Sequence, residues 1–270
     1  MNSASVKRGA PLVSSASIAD QYQKVIVALF RKMAEEAERE LKAMFHDPAY
    51  ALDAEANPAS RARIIINDLK RKYAKYFNRL ARTATNRMIR ATIRHSTATV
   101  GMSLREISAD LQLDAAFLNS GRLKEIVMAS TQEAAQLIKT IPDQYLSQVQ
   151  GQVMRSITTG SGLETLMPFM REKYGQNVRK ARSVALDQTR KAYSNISNAR
   201  MQDAGVEEFE WRHIRRAKQP RHQHIQWSGK IFRFDAPPVD DRFGPVLPGQ
   251  AINCNCLAIP VLRFGKNDDD

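Results

Sequence analysis

The sequence predicts an α+β protein: a mainly helical N-terminal body followed by a small, loop-rich C-terminal α+β module. Apolar residues recur at spacings of three and four from residue 18 to about Ala204, with no convincing strand between. After Gly205 the period becomes two, Phe209 and Trp211 alternating with Glu208 and Glu210. The final sixty-five residues then carry the turn pairs Pro237-Pro238, Gly244-Pro245 and Pro248-Gly249.

Residues 1–17, rich in Ser and Ala, read as a flexible arm. Residues 18–120 read as a helical region. Ser17 resembles an N-cap, and Val25, Leu29, Met33, Ala37 and Leu41 form an apolar stripe that Asp47-Pro48 ends. A linker over 47–60 leads to the basic helix 61–94, with eleven Lys or Arg and one acid, Asp68. Its inner stripe is Ile66, Leu69, Tyr73, Phe77, Leu80, Ala84 and Met88; Lys75, Arg79, Arg82 and Arg90 project from the opposite side. Ser103 and Glu106 have capping-box spacing, which predicts a new helix there. Residues 121–205 continue the helical pattern, with Pro142 as a helix start, a turn at Gly160, a capping box at Ser161 and Glu164, and a stop at Gly175. A last helix from about 177 ends at Gly205 in the C′ position. The module spans 206–264, with strands over 206–212, 230–234 and 258–264, and 265–270 is an acidic tail.

The chain of 270 residues, 43% hydrophobic, is long enough to bury a sizeable core. Its net charge of +13 and pI near 9.9 point to an acidic partner, double-stranded DNA or an acidic protein surface. No run approaches the roughly 18 apolar residues of a membrane span, so no membrane partner is expected. The N-terminus lacks the apolar core of a secretory signal. Cys254 and Cys256 are separated by one residue, too close for a relaxed disulfide along an extended chain.

Those cysteines, with His224, could hold a metal with one further ligand, and zinc suits that donor set. Equally, the thiols could be small buried hydrophobes, with His224 bonded to a backbone carbonyl. Zinc deamination is excluded, since it needs His-x-Glu and Cys-x-x-Cys. Asp235, Asp240 and Asp241 lack the clustering expected of a metal-dependent nuclease. Trp211 and Trp227 read as core anchors. Arg212, Arg215, Arg216, Lys218 and Arg221 form a second basic cluster, either solvated or phosphate-binding.

An ordered set of short matches runs through Asp187-Gln188-Thr189, Asp203-Ala204-Gly205-Val206, Trp211, Pro220-Arg221 and His224. It continues through Gly229-Lys230-Ile231-Phe232, Pro237-Pro238, Pro248-Gly249 and Ile252-Asn253-Cys254-Asn255-Cys256. This set resembles the phage Mu F-like head-morphogenesis family, with a weaker match reaching upstream to about residue 120. Asn255 and Ser228 depart from the family pattern, which places a basic residue between the cysteines and Asp or Asn before the glycine. The resemblance implies a non-enzymatic minor head protein of the virion, made in the host cytoplasm and associated with the portal vertex inside the capsid. Its implied partners are the portal protein and scaffold or major capsid protein. Asp187, Gln188, Trp211, Arg221, Gly229, Pro248 and Gly249 are expected as structural determinants. Two other readings are a DNA-binding virion protein aiding packaging or ejection, and a metal-dependent hydrolase.

Overall fold

In the computed structural model the chain is described over residues 5–47, 58–109, 113, 120–214 and 220–264. The order is β1 (Ser5–Arg8), α1 (Ala16–His46), α2 (Pro58–Ile107), α3 (Gly121–Thr158), α4 (Gly162–Asp203), β2 (Glu208–Arg212), α5 (His222–Gln226), β3 (Ile231–Arg233), β4 (Val239–Asp240), β5 (Gly244–Pro245) and β6 (Leu257–Phe264). This is the mainly helical body with a small sheet-bearing C-terminal region that the change of period predicts.

The chain divides into two compact units. The helical unit comprises Asp20–Asn86 and Gln132–Ala185. The buried positions of α1 are Tyr22, Ile26, Phe30, Met33, Ala37, Leu41 and Met44. The expected stripe holds from Met33 through Ala37 and Leu41 and is displaced only at its start: Val25 is 40% exposed, Leu29 is half-buried, and the bulkier Ile26 and Phe30 take the interior. In α2 the expected stripe holds, with Ile66, Leu69, Tyr73 and Phe77 buried. Phe30 meets Tyr145 of α3 edge-on at 5.1 Å and stacks on Tyr174 of α4 at 5.5 Å. Glu36 of α1 accepts hydrogen bonds from Lys72 Nζ at 2.5 Å and Tyr73 Oη at 2.7 Å, both on α2.

Three expected helix boundaries are absent. Ser103 lies inside α2 and donates through its hydroxyl to the Ala10 carbonyl at 2.7 Å instead of capping a new helix. Pro142 lies within α3, where Ile138, Ile141, Tyr145 and Leu146 are all buried. That packing outweighs the roughly 3 kcal/mol cost of an interior proline. Gly175 lies within α4 between buried Met170 and Val178, and interior glycine costs only about 1 kcal/mol. The start of α1 is capped by Ser15, whose Oγ accepts from the Ile18 N–H at 3.4 Å. Gly205 does end α4, at φ 81°.

The second unit joins Met1–Ala19, Arg87–Thr131 and Leu186–Asp270. Its sheet is antiparallel in the order β1-β6-β2-β3, registered by Phe209 opposite Pro260 and Phe232. The arm expected over 1–17 thus supplies an edge strand: Ser5–Arg8 pair with Val261–Phe264, and Leu12 is buried. Gly9 is where this segment crosses α2. A Cβ there would lie 2.4 Å from Ser103 Oγ and 2.5 Å from its carbonyl oxygen, so only glycine fits. Leu12, Val100, Leu104, Tyr193 and Met201 share one core with Phe209, Trp211, Phe234, Cys254 and Cys256. The sheet therefore buries its inner face on segments drawn from three parts of the sequence. The linker residues 48–57, the tail 265–270, and Arg215, Arg216 and Lys218 of the second basic cluster lie outside the described residues.

Glu210 on β2 ties the N-terminal strand down, accepting from Arg8 at 2.7 Å and Arg212 at 3.0 Å with its own side chain 8% exposed. Burial raises its pKa, but the two guanidinium groups outweigh that and hold the carboxyl below its ordinary 4.5. A depressed folded-state pKa adds stability above the unfolded value, and that stability is lost as pH falls through the folded one. The stability advantage of the native chain over Glu210→Gln should therefore be constant near neutral pH and shrink once pH drops below about 4.5. Denaturant unfolding of both proteins across that range checks it, and a gap unchanged in acid would contradict it. In the helical unit, Phe30→Ala should cost about 3–5 kcal/mol in the same assay, because it removes a fully buried ring and its packing against Tyr145 and Tyr174.

Candidate metal centre

Within the second unit, the loop from Val246 to Cys256 is held against α4. Ser194 donates its hydroxyl to the Pro248 carbonyl, and Gln250 Nε2 donates to Asn195 Oδ1 at 2.8 Å. Gln250 also turns its Oε1 back to accept the Leu247 N–H at 2.8 Å. Gly249, at φ 85°, passes so close that a Cβ would lie 3.1 Å from Ser194 Cβ. Nearer the start of α4, Asp187 Oδ1 accepts the Asn253 N–H at 2.5 Å. Asn253 is the one described non-glycine residue at positive φ, 57°, a conformation asparagine tolerates. That turn reverses the chain immediately before Cys254, whose N–H bonds the Ala251 carbonyl at 2.9 Å.

The turn delivers both thiols to one buried point. Cys254 Sγ lies 3.5 Å and Cys256 Sγ 3.6 Å from Nδ1 of His224, and Cys254 Sγ also accepts the Cys256 N–H at 3.4 Å. The ligand atoms of His224, Cys254 and Cys256 all lie within 4.8 Å of one another. His224 comes from the short α5 and is 2% exposed. Its ring meets Trp211 edge-on at 4.9 Å and stacks on Trp227 at 5.0 Å. Its Nε2 faces Asp240 Oδ2 at 3.0 Å, and Asp240 Oδ1 accepts the N–H groups of Arg242 at 2.8 Å and Phe243 at 3.1 Å.

The pair of thiols does not titrate as two independent groups. Cys254 is pushed down, first by the Cys256 thiol donating to it and then, against burial, by His224 and the N–H groups of Cys256 and Gly249. Cys256 is pushed up, because its proton is held by Cys254 and it too is buried. Two hydrogen-bonded sulfurs beside an imidazole are a strong donor set for a soft or borderline cation. The buried indole N–H of Trp211 has no conventional acceptor among the described residues, and its dipole favours negative charge on Cys256.

His224, Cys254 and Cys256 are thus brought together. Of the alternatives for His224, a backbone carbonyl partner is replaced by Asp240. Asp187 and Gln188 are buried on α4, and Trp211 is fully buried on β2. Arg221 donates to the Ile252 carbonyl at 2.8 Å and lies over the Phe243 ring at 5.0 Å. Gly229, at φ 84°, donates its N–H to the Trp211 carbonyl at 2.8 Å. Ser228 accepts the His213 N–H on its Oγ at 3.1 Å. Lys75, Arg79, Arg82 and Arg90 are exposed on α2 and lie apart from this cluster along the chain, the first three in the helical unit.

Asp240 and His213 are absent from the expected site. Asp240 is reached only because β4 pairs with β5, which no sequence period announces. His213 had a signal: continuing the alternation of Phe209 and Trp211 puts it on the same side of β2. Its Nδ1 lies 3.6 Å from Cys256 Sγ.

If the α4 fastening sets the cysteine turn, Gly249→Ala should destabilise this unit by about 1–2 kcal/mol from the left-handed backbone alone. Ser194→Ala, which removes the hydroxyl but not the close approach, should cost less. Denaturant midpoints of the two variants check the order, and equal costs would count against it.

Residues 147–259 match the family of phage Mu protein F like proteins. The match begins downstream of the limit near residue 120 that the weaker motifs suggest. An uncharacterized protein of Haemophilus influenzae is 32% identical over 152 residues, which cover 56% of this chain and 33% of that protein. The chain thus spans about a third of the length of this curated relative. No solved structure matches the chain. The stretch that is similar to phage Mu protein F like proteins, residues 147–259, contains α4 from Gly162 onward, the sheet strands β2 and β3 and all three converging ligands.

Proposed function

We propose that the protein is a minor head protein of a tailed phage that binds the portal vertex during head assembly and stays in the virion. The observation that carries this reading is the similarity to phage Mu protein F like proteins over residues 147–259, within which Asp187, Gln188, Trp211, His224, Cys254 and Cys256 are buried. In this reading the module is adhesive and not catalytic. Its buried aromatic and thiol groups hold loops in place, and the loops and helix faces contact the partner. Scaffold or major capsid protein are the other candidate partners.

A DNA contact is favoured by a separate observation. Lys75, Arg79 and Arg82 are exposed, and no acid among the described residues pairs with them. Elsewhere on the same helix, Arg71 pairs with Asp68 and Lys72 with Glu36. Unpaired cations on one helix face suit phosphate or an acidic protein surface. Arg90 is exposed in the same way on the portion of α2 that belongs to the second unit. Among the described residues no helix is long and apolar enough to cross a membrane.

Two measurements separate these modes of binding. Gradient co-sedimentation with the phage's portal protein, with and without nuclease, should give nuclease-resistant co-migration. Co-migration only while DNA survives would make the cationic face the main binding element and overturn direct portal binding. No co-migration would move the partner to scaffold or major capsid protein. For DNA itself, replacing Lys75, Arg79 and Arg82 by Gln should lower duplex affinity. It should also reduce the slope of log K against log salt by about 2–3, near 0.9 for each phosphate no longer neutralised. An unchanged slope would exclude this face from DNA.

A further inference from the structure

We infer that His213, His224, Cys254 and Cys256 form a closed tetrahedral zinc site, with His213 as the fourth ligand and Asp240 as the carboxylate that orients His224. The first argument is metric. Zinc–sulfur bonds of about 2.3 Å and zinc–nitrogen bonds of about 2.0–2.1 Å at the tetrahedral angle place S and N ligands about 3.6 Å apart. The three sulfur–nitrogen distances in the cluster are 3.5 Å for Cys254–His224, 3.6 Å for Cys256–His224 and 3.6 Å for Cys256–His213. Three of the six edges of the coordination polyhedron thus have the length that one common ion requires. His224, Cys254 and Cys256 already lie within 4.8 Å of one another, and His213, which touches Cys256, closes onto the other two ligands as the ion binds.

The second argument is orientation. Both imidazoles present Nδ1 to sulfur, and His224 uses its other nitrogen on Asp240 at 3.0 Å. A carboxylate on the far ring nitrogen is the usual partner of a zinc-bound histidine, because it fixes the tautomer and raises ligand basicity. Asp240 is itself held by two backbone N–H groups and is 3% exposed, so its aim is set before any metal arrives. His213 is anchored through its N–H on Ser228 Oγ, at the end of the strand that carries Trp211. The sulfurs have the surroundings thiolates need, with the Cys256 N–H bonded to Cys254 Sγ and the otherwise unpartnered Trp211 indole N–H beside Cys256.

The chemistry balances simply: one zinc ion binds two thiolates and two neutral imidazoles, and the thiol protons pass to solvent. Two sulfurs and two nitrogens fill the tetrahedron and leave no position for water, so the ion staples the fold and does not activate a nucleophile. The staple links the end of β2, α5 and the turn before β6, adding to the β2–β6 pairing and to the contact of Trp211 with the His224 ring.

The test uses the full chain, produced with zinc supplied and purified without chelator. Metal analysis should find about one zinc per chain, and Co(II) exchanged into the protein should give the intense visible bands of a tetrahedral site with thiolate-to-cobalt charge transfer. His213→Ala should keep the charge-transfer bands, alter the tetrahedral bands and weaken zinc retention against a chelator. Asp240→Asn should weaken it about 10–100-fold with the Co(II) spectrum retained. Circular dichroism of each variant separates loss of metal from loss of fold. Should Cys254→Ser or Cys256→Ser fail to fold, the native chain and Asp240→Asn still decide. Folded native protein that takes up neither zinc nor Co(II) would overturn the site. His213→Ala with native affinity and native spectrum would overturn the four-ligand set.

Discussion

The convergence of two thiols on one buried imidazole is the constraint on which the C-terminal fold depends. The imidazole and the thiols arrive on two different segments: His224 on a helix of five residues, both cysteines on a turn leading into β6. None of these pieces is long enough to be stable alone. They are held by Trp211 and Trp227 packed against the histidine ring and by Asp240 behind it. His224 touches both other parts of the site, bonding Asp240 of β4 and lying within 3.6 Å of both cysteine sulfurs. A unit so rich in loops gains more from such a fixed point than from extra apolar area.

Helix α4 supplies the frame for that point. Asp187, Ser194 and Asn195, spaced along it, each bind the loop that carries the cysteines. Val100, Leu104, Tyr193 and Met201 then provide the apolar surface that the small sheet lacks. The N-terminal strand completes the sheet at its far edge, fixed by Glu210 and by the crossing at Gly9. The first strand of the chain and its last are therefore parts of one structure.

Much of this was legible in the sequence. The change of apolar period after Gly205 carries the fold class, and β2, β3 and β6 fall close to the three strands expected over 206–212, 230–234 and 258–264, whereas β1, β4 and β5 were not expected. The ligands His224, Cys254 and Cys256 were visible as residue types. What escaped was set by tertiary packing. Ser5–Arg8 have an arm's composition, but a strand edge and a crossing at Gly9 hold them. Pro142 and Gly175 are local stop signals that buried neighbours on both sides override. Asp240 reaches His224 through a two-residue pairing too short for any periodic signal. His213 was missed for another reason: its alternation with Trp211 was readable, but nothing in the sequence tied that face to the cysteines 43 residues later.

In the reading proposed here, the exposed cations of α2 meet phosphate or an acidic protein surface, and the C-terminal module, stapled by the proposed zinc, serves as a rigid docking surface. Rigid docking depends on the module's internal fastening, which makes the metal coordination the central point. X-ray absorption spectroscopy at the zinc edge tests it most directly. The account predicts a first shell of about two sulfurs near 2.3 Å and two nitrogens near 2.0–2.1 Å, with the outer-shell scattering of imidazole. A shell with oxygen in place of the second histidine, or without sulfur, would contradict it.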